Sequence, residues 1–395
     1  MGSVLVTDGH ERAALAVVRS LGRAGYRPFV CSPRARALAG ASRYCARQTA
    51  VPDALEQPAL FAVAVDRLVR QWHIDVLLPI TEASLLALLP ERQRFEGVRI
   101  PFPPDAQFRR ICDKAAVLDA AGALGIAVPQ YHTLPSPDHR RTLVPAELSY
   151  PLVVKPARSV SEANGHRIKS GVAHVRDWDA LQRALDQAAA GAYPLLLQRR
   201  IVGPGIGIFL LLWEGQVLAT FGHRRIREKP PSGGVSVYCE SIAAQPDLVA
   251  GSRALLERFG WEGVGMVEFK LDVASGIPYL MEVNGRFWGS LQLAIDAGVD
   301  FPALLLAAAL GGGVGPVRSY RVGVKSRWWW GDVDNLLARL RRSKEDLGLS
   351  GDTPGRWRAV AEFLKAAWPG TRGEVLRLRD PMPFVQETLD WLRRR

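Results

Sequence analysis

Glu282, Asn284 and Arg286 occupy alternate positions in LMEVNGRFWGS, directly after an apolar run. Alternate side chains of an extended strand share a face, so a carboxylate, a carboxamide and a guanidinium would stand side by side. Burying such a face without a ligand is costly. A second carboxylate, Glu268 in MVEFK, lies on the preceding apolar segment, and the turn ASGI joins the two segments. Glu268, Glu282 and Asn284 offer oxygen ligands only, a set that suits a hard cation such as Mg²⁺ or Mn²⁺. Mg²⁺ binds through one or two carboxylates and otherwise through waters and phosphates, so the pattern points to a metal–nucleotide site. Ion-pair partnership is the structural alternative for two strand glutamates.

Two lysines fit the same chemistry. Lys155 closes PLVVKP, so its backbone belongs to an apolar strand while its ammonium must reach a polar ligand or solvent. Lys114 opens a helix after Asp113. Each could set a compact cation against a phosphate, although a solvated surface position also suits Lys114.

On the acceptor side, FGHRRIREKPPSGGVSVYCES places His223, Arg224, Arg225, Arg227 and Glu228 ahead of a Ser232-Gly233-Gly234 turn. Alternation puts Arg225 and Arg227 on the face of His223 and turns Arg224 away. Arginine forks match carboxylates and phosphates, which makes Arg225 and Arg227 the candidates for an acidic substrate; a solvated hairpin is the alternative. Thr81 and Glu82 follow DVLLPI at a strand's carboxyl end, where α/β sheets bind ligands, but Glu82 would equally favour a first helical turn.

These residues need elements to hold them. SVLVTDG, YRPFVCS and DVLLPIT alternate with helical patterns at 11–24 and 60–72, which predicts a parallel α/β sheet. TDGHERAA lacks GxGxxG, so no dinucleotide fold is expected there. An alanine-rich helix follows Asp113, then a polar proline-containing connection over 135–145, then YPLVVKPARS as a strand. From Pro194 to Ile242 strand follows strand, with Gly203, Gly205, Gly207 and Gly215 read as turns, and a helix over 248–259 leads to GVGMVEFKLD and PYLMEVN. The fold class is therefore α/β followed by α+β.

The 395 residues allow about two or three domains, and 48% hydrophobic content fills ordinary cores. The apolar stretches at 209–213 and 303–310 fall short of the roughly 20 residues a membrane helix needs, and the start MGSVLVTDGHERAA does not resemble a signal peptide. A cytoplasmic protein with no membrane partner is expected. Cys31, Cys45, Cys112 and Cys239 show no CxxC or Cys/His pairing and read as reduced packing thiols. The formal charge of +12 is spread along the chain, so nucleic acid is not indicated over an acidic small molecule. Consecutive Trp328, Trp329 and Trp330 cannot all face one core, and the basic tail beyond Tyr320 lacks a long amphipathic stripe.

DK, LGIAVP, PLVVKP, LLLQRRIVG, VEFKLD and MEVNGR occur in this order. Together they resemble the ATP-grasp superfamily, nearest its carbamoyl-phosphate-synthase-like and biotin-carboxylase-like carboxylate–amine ligases. ExNxR with the upstream glutamate is the most specific part of a resemblance covering about residues 1–315. It implies an N-terminal α/β domain (1–110), a central lid domain (111–200) and an ATP-grasp C-terminal domain (201–318), followed by a basic C-terminal extension (319–395).

The resemblance further implies a ligase that activates a carboxylate as an acyl phosphate and passes it to an amine. Lys114 and Lys155 would contact ATP phosphates, and Gln198, Arg199 and Ile201 would border adenine. Glu268, Glu282 and Asn284 would hold Mg²⁺, and Arg286 would face the transferring phosphoryl group. Two features depart from the pattern. ARSVSEANGHRIKSG has only Gly165 and Gly171 where a glycine-rich phosphate loop is usual, and Gln198 stands where an acidic residue is frequent. A homodimer is compatible with the reading. The alternative in a different class is a nucleotide-binding regulatory or nucleic-acid-binding protein that keeps the fold without turnover.

Overall fold

The computed structural model describes residues 2–163, 166–169, 171–349, 353–366 and 370–394. Strand and helix alternate at the start of the chain: β1 (Ser3–Val6), α1 (Arg12–Arg23), β2 (Arg27–Ser32), β3 (Arg47–Ala50), α2 (Pro58–Gln71), β4 (Val76–Leu78), α3 (Glu82–Leu88) and α4 (Asp105–Ile111). The four strands are parallel in the order β3-β2-β1-β4. Parallel strands need crossovers and are covered on both faces, which is why SVLV and VLL are unbroken apolar runs. Beyond β1, Asp8 accepts hydrogen bonds from the Thr81 amide (3.1 Å) and Ser84 Oγ (2.8 Å), fixing the turn that presents Glu82.

Next comes α5 (Lys114–Ala123), capped by Asp113, whose Val117, Leu118 and Ala121 lie in the main core. A second unit with its own core follows through β5 (Tyr131–Leu134), β6 (Leu152–Pro156), β7 (Val160–Ala163), β8 (His166–Lys169), β9 (Ala173–Val175), α6 (Trp178–Asp186) and β10 (Leu195–Arg199). Strands β5-β10-β6-β9 form an antiparallel sheet, and β7 and β8 make a separate hairpin. Leu134, Leu152, Val154, Leu181, Leu195 and Leu197 form a cluster distinct from the main core. Gly165 lies outside the described residues, while a Cβ on Gly171 would meet nothing within 4 Å.

The third unit is a seven-stranded sheet in the order β15-β14-β11-β12-β13-β16-β17. Its elements are β11 (Gly205–Trp213), β12 (Gln216–Lys229), β13 (Val235–Ile242), α7 (Pro246–Arg258), β14 (Gly263–Leu271), β15 (Pro278–Asn284), α8 (Leu291–Ala297), α9 (Phe301–Ala309), β16 (Lys325–Arg327), α10 (Trp329–Arg341), α11 (Arg356–Lys365), β17 (Thr371–Gly373) and α12 (Met382–Arg393). Gly215 does serve a turn: with Glu214 it lies at positive φ (48° and 74°) in the two-residue link of β11 to β12. Gly205 and Gly207 do not, because they lie inside β11. Their missing side chains leave room for β12 to reach across. A Cβ on Gly205 would sit 2.9 Å from Cδ of Arg225, and one on Gly207 2.9 Å from Cδ2 of His223.

Residues beyond Tyr320 complete this sheet, since β16 pairs with β13 and β17 with β16. They also brace the N-terminal unit. Buried Arg19 donates to Asp380 at 2.8 Å, and Arg12 pairs with buried Glu374. The three tryptophans diverge, as consecutive residues must: Trp328 donates to Glu387 (2.7 Å), Trp329 packs on Phe363, and Trp330 stacks on Trp391 and Phe384. All four cysteines are free thiols. Among the described residues no single helix is long and apolar enough to cross a membrane.

Candidate active site

Antiparallel register makes Glu268 on β14 and Glu282 on β15 direct cross-strand partners. Such pairs carry their Cβ atoms about 4.5–5.5 Å apart, close enough to share one ion. The three alternating polar residues form a hydrogen-bonded line. Asn284 Nδ2 donates to Glu282 Oε1 at 3.0 Å, and Arg286 Nη2 donates to Asn284 Oδ1 at 2.9 Å.

Both lysines converge on the Met281–Glu282 stretch of β15. Lys114 Nζ lies 3.8 Å from its carboxylate and donates to Ser159 Oγ at 2.7 Å in the loop that follows β6. Lys155 Nζ donates to the Met281 carbonyl at 3.3 Å. Burial disfavours ionisation of Glu282, but Lys114, Lys155, the Asn284 amide and Arg286 outweigh it and bring the carboxyl down to about 2. Burial in turn depresses the Lys155 ammonium to about 8, a drop that Glu282 limits. Gln198, on β10, lies on the Lys155 face of the β5-β10-β6-β9 sheet. It is buried, and its Nε2 has no hydrogen-bond partner. An unsatisfied buried amide donor is what a missing heterocycle acceptor would leave. Ile201 is buried nearby in sequence, whereas Arg199 stacks on Tyr279 at 5.2 Å.

The two acceptor-side arginines part company. Arg225 reaches over Gly205 to pair with Glu268 at 2.5 Å and with Glu228 at 2.9 Å. Arg227 instead binds Asp332 of α10 through both Nε and Nη2 at 2.6 Å. Register shifts on either side of Arg227 explain the difference, because a bulge inserts a residue and re-aims those beyond it. The expected shared face of Arg225 and Arg227 is thus broken by the bulge. Arg224 pairs with Glu240, away from the cluster. His223 is buried against Phe209, accepts or donates at Ser290 Oγ (3.2 Å), and is pushed well down by burial and by Arg225.

Glu82 also belongs to the group. Burial raises its carboxyl, Arg286 and Lys114 lower it, and Glu282 raises it, which places all four in one electrostatic neighbourhood. Its Oε1 is buried without a partner beside a cavity of about 330 Å³ lined also by Arg109, Cys112, Arg158 and Tyr193. A larger cleft of about 1180 Å³ opens on the other side of Arg225 and Gly205, walled by Glu228, Tyr238, Lys325, Arg339 and Lys365. Sequence patterning missed Ser159 and Asp332, and it named Glu228 without its partner. Ser159 and Asp332 act through long-range contacts, whereas the i,i+3 spacing of Arg225 and Glu228 was a local signal.

The donor set fits a hard cation. Among the described residues no group of three His, Cys, Asp or Glu side chains is assembled. Two carboxylates and an amide without thiol or imidazole therefore suit an ion whose remaining ligands are phosphates and water. A family profile described as ATP-grasp in the biosynthetic pathway with Ter operon matches residues 192–329, the stretch that contains β11, β12, β14 and β15. Over those residues the chain matches an ATP-grasp family. The chain is similar in structure to the L-amino acid ligase from Bacillus licheniformis, with a TM-score of 0.60 and 21% identity over 80% of this chain and 78% of that one. It is also similar to the biotin carboxylase–beta-gamma-ATP complex from Campylobacter jejuni, with a TM-score of 0.63 and 17% identity over 82% and 74%. In sequence it is 29% identical over 205 residues to the mitochondrial methylcrotonoyl-CoA carboxylase subunit alpha of Oryza sativa subsp. japonica, covering 48% of this chain and 27% of that protein. The chain spans between 27% and 64% of the length of the curated relatives it matches.

Proposed function

We propose that this ATP-grasp chain is an ATP- and Mg²⁺-dependent ligase that activates a carboxylate as an acyl phosphate and transfers the acyl group to an amine. The observation that carries the proposal is the line Glu282–Asn284–Arg286 facing Glu268, with Lys114 on Glu282 and Lys155 on the neighbouring Met281 carbonyl. Glu268, Glu282 and Asn284 would hold Mg²⁺, which when bound neutralises phosphate charge. Lys114, on Ser159 and Glu282, and Lys155 are disposed to hold phosphate oxygens, and Gln198 Nε2 to donate to the adenine. A carboxylate oxygen attacks the γ-phosphorus, the bond to the β,γ-bridging oxygen breaks, and ADP leaves. The amine nitrogen then attacks the acyl carbon, the C–O bond to phosphate breaks, and the ammonium proton passes to a base or to solvent.

Arg286 lies at the end of the line, where it can face the charge that develops on the transferring group. Glu82, with its unpartnered oxygen beside the smaller cavity, suits a substrate ammonium. Arg225 stands between Glu268 and the larger cleft, which suits the passage of an acidic substrate to the reacting centre.

Release of ADP and phosphate with panels of acids and amines tests the reading. Turnover that requires both an acid and an amine supports it, with the product mass giving the substrate pair. Nucleotide binding without turnover for any acceptor would favour a regulatory protein instead.

A further inference from the structure

The exposed side chains from Arg372 to Arg394 are of two kinds only. Leu376, Leu378, Met382, Val385, Leu389 and Leu392 are apolar and 42–94% exposed, joined by Pro381. Arg372, Arg379, Arg393 and Arg394 supply the exposed charge. Three of the four acids of the segment are turned inward: Glu374 pairs with Arg12, Asp380 with Arg19, and Glu387 accepts from Trp328, while half-buried Asp390 lies between Arg34 and Arg393.

On α12 the apolar residues recur at Met382, Val385, Leu389 and Leu392, offsets of three, four and three that keep them on one stripe. The opposite side is spent on packing, with Glu387 on Trp328 and Trp391 stacked on Trp330. This amphipathic helix therefore turns its apolar stripe to solvent, with Leu378 and the arginines at its ends. The stripe was invisible in one dimension because the inward side is aromatic and apolar as well.

We propose that this face docks on an anionic phospholipid surface, with the aliphatic stripe entering the headgroup boundary and the arginines meeting lipid phosphates. Charge complementarity selects that occupant. Two copies placed face to face would oppose arginine with arginine and offer no exposed carboxylate between 372 and 394 to relieve them. The stripe also consists of flexible aliphatic side chains only, while its aromatic neighbours, Phe384 and Trp391, face inward on Trp330. A bilayer accepts such a stripe, whereas protein partners seat aromatic anchors in pockets.

The test is co-sedimentation of the full chain with phosphatidylcholine vesicles and with vesicles also containing phosphatidylglycerol. The expected result is binding to the anionic vesicles alone, weakened by salt. Leu389→Asp should reduce it by about tenfold or more, since an exposed leucine that would enter lipid is replaced by a charge. Leu60→Asp, at an exposed position on α2, should leave it unchanged, and both variants should melt as the parent does. Absence of vesicle binding, equal binding to both lipids, or a parent dimer that Leu389→Asp dissociates would each overturn the proposal.

Discussion

Glu268 and Glu282 stand directly opposite each other across β14 and β15, yet their surroundings drive the two carboxyls apart. Burial raises Glu268, and Arg225 only partly offsets it, while Lys114, Lys155 and Arg286 overcome burial at Glu282. Two neighbouring acids pushed in opposite directions are a recurrent feature of sites that handle charge.

Glu282→Gln should lower ADP release by about a hundredfold to a thousandfold, because it removes the charge that both lysines and the Asn284 amide stabilise. Steady-state turnover with an accepted acid and amine measures this, and full activity in the variant would reject the site. The depressed carboxyl of Glu282 also stabilises the fold above its ordinary value of 4.5. That contribution is lost as pH falls through about 2, so acid unfolding of Glu282→Gln should be less steep.

Arg225 and Arg227 should separate activity from stability. Arg227→Met leaves the fully buried Asp332 with Arg327 alone, and breaking a buried pair costs about 3–5 kcal/mol, less here because Arg327 remains. Chemical denaturation should register that loss while the folded fraction keeps its turnover. Arg225→Met should instead reduce turnover and weaken Mg²⁺ dependence, since Glu268 loses its counter-charge.

Lys155 sets a pH dependence. Its ammonium is lowered from 10.5 to about 8, so between these values the unfolded chain binds more protons and the lysine's contribution to stability rises with pH. Phosphate favours the charged form. Nucleotide binding should therefore take up protons above about pH 8 and weaken as pH rises, and isothermal calorimetry in buffers of different ionisation enthalpy reads the uptake. Lys155→Met should abolish that proton uptake.

Glu387 offers a test of the C-terminal extension. Burial raises its carboxyl to about 7. The folded chain holds the extra proton, so stability falls as pH rises from 4.5 through about 7. Glu387→Gln can still accept from Trp328 and carries no charge. It should stabilise the chain at pH 8 by roughly 1–3 kcal/mol and flatten its melting temperature across this range.

How much of this was legible in one dimension depends on the reach of each contact. The line Glu282, Asn284, Arg286 followed from strand periodicity alone, and so did the parallel sheet from its apolar runs, because both express local backbone geometry. Glu268 and Glu282 share a hairpin, and the short turn between β14 and β15 brings them into register. Arg227 was not legible, since the bulge that re-aims it leaves no mark in residue type. Gly205 and Gly207 read as turns when taken singly, and only the presence of Arg225 and His223 over them explains glycine inside a strand.

The amino-acid sequence by itself determined the chemistry on offer: oxygen ligands for a hard cation, ammonium groups for phosphates, and the order in which strands carry them. Tertiary structure decided which of the offered groups meet. It gave Arg225 to Glu268 and Arg227 to Asp332, drew Glu82 towards Arg286, and folded the three-residue strands β16 and β17 into the main sheet. The physical reason is that periodicity fixes only the face a side chain occupies within its own element. Partners across tens or hundreds of residues are chosen by packing, register shifts and the need to neutralise buried charge.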